Sequence, residues 1–161
     1  LVEAGMLAAC FVLLNLIARP AGGWVSDRFG RKPTLYVYCA GLTISYVLMA
    51  QISPQWPIAL AVSVTLICSI FLQGAEGAVF AVVPLVKRSM TGQIAGVVGA
   101  YGNAGAIFFL VALTFVPASV FFLILALCCL LSLTTILFLN EPKSVITEIM
   151  PDGSLAVIEL D

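Results

Sequence analysis

The chain has 161 residues, of which 62% are hydrophobic and only 9% charged, with a net charge of −1 and no histidine. Ordinary soluble domains carry roughly 25% charged residues, so this composition excludes a water-soluble globular fold and points to a membrane protein. The missing histidine removes the commonest general base and metal ligand, and nothing in the near-neutral charge points to nucleic acid.

A membrane-spanning helix needs about 20 apolar residues. Five stretches meet that length, at 4–25, 35–52, 58–86, 92–116 and 118–139, so an all-α polytopic membrane protein is expected. The first begins almost at Leu1, without an initiator methionine, a basic flank or a cleavage pattern. It reads as the interior of a longer protein and not as a signal peptide. Its polar residues are few, and Arg19 is the most costly of them. An arginine at a helix centre costs about 2.5–3.5 kcal/mol on insertion scales. Such a residue normally faces a protein interior or a pathway, where an anionic substrate is the natural partner. Asn15 lies one helical turn before Arg19 and shares its face.

The first span runs into a charged turn, Gly23-Trp-Val-Ser-Asp-Arg-Phe-Gly-Arg-Lys32. Gly23 permits close helix packing and Gly30 a tight turn. Asp27 can cap a helix end, while Arg28, Arg31 and Lys32 can engage carboxylates and helix C-terminal carbonyls. Together they read as a latch that holds one conformation and releases another. A loop that only orients the protein would explain the charges, but not both glycines or Asp27.

The other breaks set the topology. Lys87 and Arg88 follow the third span and Lys143 follows the fifth, whereas Ser53-Pro-Gln-Trp-Pro57 after the second is uncharged. Arg28, Arg31, Lys32, Lys87, Arg88 and Lys143 thus fall on one side, which the positive-inside rule makes cytoplasmic. The first residue is then outside and the tail inside.

In the third span, Gln73, Glu76, Gly77 and Phe80 share a face. Glu76 reads first as a structural carboxylate bonded to neighbouring helices. It reads second as a proton site, because desolvation disfavours a carboxyl group's charged form. The fourth span carries Gly92, Gly96, Gly99, Asn103 and Ala106 at alternating intervals of four and three, so they line one face. Gly102 and Gly105 widen that strip. Taken alone it reads first as a helix-packing surface. Asn103 interrupts it, however, and a backbone-lined wall bearing one amide also suits a small planar oxyanion. Tyr36, Tyr38 and Tyr46 read as packing or interface residues. The five cysteines (Cys10, Cys39, Cys68, Cys128 and Cys129) read as small buried hydrophobes without zinc-type spacing.

After 139 the composition changes. Ser144-Val-Ile-Thr-Glu-Ile-Met150 and Ser154-Leu-Ala-Val-Ile-Glu-Leu160 flank Pro151-Asp-Gly153, which reads as a β-hairpin within a tail at 140–161. An isolated hairpin is marginal in water, so it docks on the membrane domain or a partner, or it frays.

The turn Gly23-x-x-x-Asp-Arg-x-Gly-Arg-Lys32 resembles the cytoplasmic signature of the major facilitator superfamily. Gly96-x-x-Gly-x-x-Gly-Asn-x-Gly105 resembles the nitrate signature of that superfamily's nitrate/nitrite porters, and Arg19 in Leu16-Ile-Ala-Arg-Pro-Ala-Gly-Gly23 falls where they carry a substrate arginine. With Gln73-x-x-x-Gly-x-x-Phe-x-Val-Val-Pro84, the resemblance covers nearly all the apolar chain and is nearest to cyanobacterial-type nitrate permeases. It implies the carboxy-terminal half of a twelve-helix secondary transporter, helices eight to twelve, working by alternating access against an amino-terminal half that either belongs to the same longer protein or associates as a separate chain.

By the same resemblance nitrate or nitrite is the substrate, bound by Arg19, Gly96, Gly99, Gly102 and Asn103, while Asn15, from its place on the Arg19 face, either orients the guanidinium or contacts the substrate. Location in the plasma membrane follows, and no cofactor is called for. Proton symport and nitrate/nitrite exchange both fit. Two other readings stand beside this one: transport of a different small anion, and a truncated, non-transporting interaction subunit working through the tail. An intramembrane enzyme is weak, because no span carries a paired-carboxylate or nucleophile–base set.

Overall fold

A computed structural model describes the backbone of residues 2–139, 144–149 and 155–160, and the side chains of 13–87 and 89–139. Five long helices follow one another: α1 (Val2–Phe29), α2 (Arg31–Ala50), α3 (Ile58–Val86), α4 (Thr91–Leu113) and α5 (Ala118–Leu137). A single 3₁₀ turn, Arg88–Met90, leads into α4. Helices α2 to α5 are each long and apolar enough to cross a membrane. Helix α1, at 28 residues, also exceeds the length required. Large apolar side chains such as Leu16, Ile17, Ile107, Phe108 and Leu131 cover the outside. That is the inverse of a soluble surface and the normal state of a face bathed in lipid. The molecule is an all-α polytopic membrane protein.

The segment Gly23–Lys32, expected as a turn, is helical on both sides of a single break. Helix α1 continues to Phe29 and α2 starts at Arg31, so Gly30 alone redirects the chain. It does so at φ 94°, the one positive φ among the described residues and a conformation that a Cβ would strain. The uncharged break after α2 is a short turn in which the Trp56 amide donates to the Ser53 carbonyl. Pro57 and Pro117 stand just before α3 and α5. There the missing amide hydrogen costs nothing and the fixed φ favours entry into a helix.

The bundle is organised around α3. Helix α1 packs along one flank of α3, α2 lies between α3 and α5, and α4 touches α3 and α5 only lightly. Two apolar clusters hold it together. Leu42, Tyr46, Cys68, Ala75 and Ala126 form one, with Phe71 and Phe122 packed against them. Leu35, Ala78 and Ile136 form the other. The rings of Tyr46 and Phe122 stack at 6.3 Å, and Tyr38 meets Phe71 edge-on at 6.3 Å. Tyr38 and Tyr46 therefore serve as packing residues.

The α1–α3 interface is closer still. A Cβ on Gly22 would collide with the Gly74 backbone, and one on Gly77 with the Arg19 carbonyl. Without a hydrophobic force between helices in lipid, such backbone contact is what drives their association. Along the chain's tail, β1 (Ser144–Ile149) and β2 (Leu155–Leu160) pair antiparallel, with Ser144 opposite Leu160 and Ile149 opposite Leu155. The turn expected at 151–153 lies outside the described residues.

Candidate functional site

Gly77 brings the Arg19 backbone against α3, and its neighbour Glu76 then meets the Arg19 side chain. The guanidinium Nη2 and the carboxylate Oε1 form an ion pair in direct contact, both groups partly open to the cavities around them. Neither residue is thus a solitary charge, and the partner of Glu76 is a cation on α1. The residues stand 57 positions apart in the chain, and only the close approach of α1 and α3 brings them together.

Two cavities meet at Arg19. One, of about 740 Å³, is lined by Asn15, Leu16, Arg19, Pro20, Gly23, Gly77, Phe80 and Ala81. Within it Asn15 and Arg19 share a face, and Asn15 Oδ1 has no hydrogen-bond partner among the described residues. Pro20 adds a second polar group, because without an amide hydrogen at position 20 the Leu16 carbonyl loses its helical partner. The other cavity, of about 820 Å³, places Arg19 and Glu76 opposite Val98, Gly99, Gly102, Asn103 and Ala106 of α4, with Tyr46 and Tyr101 at its edges. Ligand sites commonly have this size, apolar walls and a few convergent polar groups.

The glycines of α4 behave unlike those of α1 and α3. A Cβ built on Gly92, Gly96, Gly99, Gly102 or Gly105 would meet nothing within 4 Å. Among the described residues, these glycines therefore meet no neighbouring helix, and the strip stands as an open wall. Gly99, Gly102 and Asn103 face the same cavity as Arg19. Gly96 lies on the same helix but lines neither of the two cavities.

A separate polar cluster occupies the end of the bundle where α1 turns into α2. Arg31 Nη2 donates to Asp27 Oδ1 at 3.1 Å, and Arg28 lies over the Trp24 ring at 5.5 Å from its centroid. Lys32 Nζ donates at 2.8 Å to the carbonyl of Leu137, the last residue of α5. A cation there satisfies one of the carbonyls a helix end leaves free and complements the helix dipole. The bond also puts the α1–α2 junction and the end of α5 on one side of the bundle. Asp27 makes its bond within its own turn and does not cap α2. Beside it, Ser26 is fully buried, and its Oγ has no partner among the described residues.

Sequence reasoning singled out Arg19 and Glu76 but not their pairing. The available signal was charge parity: Arg19 and Glu76 are opposite charges set deep in two apolar helices. Tyr101 was also missed as a cavity residue, although it sits inside the glycine run.

Comparison with known proteins agrees with this architecture. The chain is 51% identical over 111 residues to the nitrate/nitrite transporter NrtP of Picosynechococcus sp., covering 68% of this chain and 21% of that protein. It is 41% identical over 144 residues to the nitrate/nitrite transporter NrtP of Nostoc punctiforme, covering 88% and 29% respectively. It is 39% identical over 108 residues to the high affinity nitrate transporter 2.5 of Arabidopsis thaliana, covering 65% and 22%. The chain thus spans between a fifth and a third of the length of these relatives. No solved structure matches it significantly. The model of the Major Facilitator Superfamily matches residues 1–156, taking in all five helices and the charged break between the first two, and the chain belongs to that family.

Proposed function

We propose that the chain is the carboxy-terminal half of a secondary nitrate/nitrite transporter that works by alternating access. Its five helices then correspond to helices eight to twelve of twelve, and the amino-terminal half of the complete transporter supplies the opposite wall. Transporters of this type rock two halves around a site near the membrane midplane. The observation that carries the reading is the 820 Å³ cavity, where a guanidinium faces a wall of glycine backbone and one amide. Nitrate is flat, singly charged and accepts hydrogen bonds through three oxygens. Arginine's planar fork matches two of them, and a glycine wall lets the plane of the ion lie close to the backbone. Asn15 lines the neighbouring cavity at Arg19 and Asn103 the glycine wall, and in this reading their amides donate to the anion. The names of the relatives supply the substrate. Six basic residues on one side of the spans in the sequence support a cytoplasmic tail, and in this reading the membrane is the plasma membrane.

Uptake of labelled nitrate by proteoliposomes holding the complete transporter tests the reading. Saturable uptake blocked by nitrite is expected. Saturable uptake of a different small anion, with none of nitrate, would keep the site and change the substrate.

The α4 wall gives a sharper test. Because a Cβ added at Gly99 would meet nothing within 4 Å among the described residues, Gly99→Leu should fold normally while its side chain fills the cavity. Thermal stability in detergent should be unchanged and nitrate affinity should fall at least tenfold. A variant that binds nitrate like the wild type removes the wall from the substrate surface.

At the far end of the bundle, Asp27, Arg31 and Lys32, with Arg28 and the two glycines Gly23 and Gly30, form the conformational latch in this reading. Asp27→Asn weakens the bond to Arg31 without touching the cavity. Maximal uptake velocity should fall several-fold while the apparent nitrate affinity changes by less than about twofold, since the lost bond belongs to one conformational state. Loss of affinity at unchanged velocity would contradict a latch.

A further inference from the structure

The Arg19–Glu76 contact raises a question of charge that the transport reading leaves open. The cation assigned to the substrate is already neutralised by a carboxylate of the same chain. A carboxylate and nitrate present the same two-oxygen edge to a guanidinium, so the two compete for one fork. If nitrate simply displaced Glu76, the cavity would hold one positive and two negative charges, with an unpaired carboxylate between apolar helices. A charge stranded in that way is far more costly than a pair.

We propose, on the basis of the anion-transport reading above, that Glu76 is a built-in competitor for Arg19. Anion binding releases it, and its carboxylate then takes up one proton. The balance is simple. The empty site holds a guanidinium cation and a carboxylate, with net charge zero. Nitrate and a proton enter together, the guanidinium pairs with nitrate, the carboxyl group becomes neutral, and the net charge is again zero.

Among the described residues, the lining of the cavity offers no other group suited to the task. From α1 the cavity receives Arg19, from α2 Tyr46 and from α4 Tyr101, while α3 itself contributes Glu76. Tyr38 of α2 lies against Gly74, two residues before Glu76 in α3. A guanidinium has no acceptor atom and a phenol is already neutral, so neither offers a place for the proton. Among these groups the carboxylate alone can accept one. The competitor and the substrate cation lie on adjacent helices held at backbone contact by Gly22, Gly74 and Gly77, so their geometry does not depend on a flexible loop.

Linkage fixes the sign. If binding takes up a proton, nitrate affinity rises as pH falls, by about tenfold per unit at full coupling. Calorimetric titration of nitrate into the complete transporter, in two buffers of different protonation enthalpy, counts the protons directly. About one proton per nitrate is expected for the wild type. Glu76→Gln, which mimics the protonated state, should take up none, bind nitrate with a pH-independent affinity, and bind it at least tenfold more tightly than the wild type at pH 8.

Nitrate binding by the wild type without proton uptake overturns the proposal and leaves the transport reading standing. Weaker nitrate binding by Glu76→Gln at every pH also overturns it, since Glu76 would then serve to hold Arg19 in place. No nitrate binding by the wild type at any pH removes the transport reading and this proposal together. The proton count on the wild type needs no variant, so a misfolded Glu76→Gln protein does not spoil the test.

Discussion

Arg19→Lys should reduce nitrate uptake by about 10- to 100-fold while leaving the protein folded and inserted. Lysine keeps the positive charge, and its ammonium can still pair with Glu76 across the α1–α3 contact, so the charge balance of the bundle survives. What it loses is the planar fork. A hydrogen bond to a charged group contributes roughly 1.5–3 kcal/mol, and each 1.4 kcal/mol is about tenfold in affinity. Losing one arm of a two-point contact therefore accounts for the range. Initial rates of labelled nitrate uptake at sub-saturating concentration, normalised to transporter in the membrane, give the number. Arg19→Ala adds a control, because it also strands Glu76 and should damage folding as well as transport. A lysine variant with near-wild-type uptake would remove Arg19 from the substrate site, whatever its place in the cavity.

Much of this architecture could be read before any coordinates. Helices long enough to span and a break built on Gly30 follow from composition and from glycine and proline placement, which are local properties. The cost of Arg19 is likewise local, since it depends on the apolar residues around it. The partner of Arg19 was not legible, because it depends on which faces of α1 and α3 meet. That in turn is decided by Gly22, Gly74 and Gly77, three positions where a missing side chain admits a neighbouring backbone.

The two glycine-bearing surfaces make the same point from opposite sides. A regular strip on α4 reads as a packing face by spacing alone, yet among the described residues a Cβ added to its glycines would meet nothing within 4 Å. The less regular glycines of α1 and α3 make the tight contact instead. Spacing along one helix shows that a surface is smooth, while the neighbouring helix determines whether that smoothness is filled. Asn15 illustrates a further limit. Its place on the Arg19 face follows from a separation of four residues, but its buried, unpartnered Oδ1 appears only once the helices are packed.

The contrast between the two sets of glycines yields the largest expected effect on stability. Gly77→Ala adds one methyl group where the Arg19 carbonyl already stands, and Gly22→Ala does the same against the Gly74 backbone. In each case the obstacle is main chain, which no change of rotamer relieves. Overpacking costs typically 1–3 kcal/mol even when side chains can adjust, so the upper end or beyond is expected here. Helices α1 and α3 must move apart, and the movement separates Arg19 from Glu76 as well as loosening the bundle. Purified in detergent, either variant should melt well below the wild type and lose nitrate binding together with stability. Gly102→Ala is the matched control, with the same added methyl on a helix where nothing lies within 4 Å. Its melting temperature should be unchanged or slightly higher, since alanine favours helix over glycine by about 1 kcal/mol. A Gly77→Ala protein as stable as the wild type would mean that α1 and α3 are not held at backbone contact, and the Arg19–Glu76 pair would lose its structural basis.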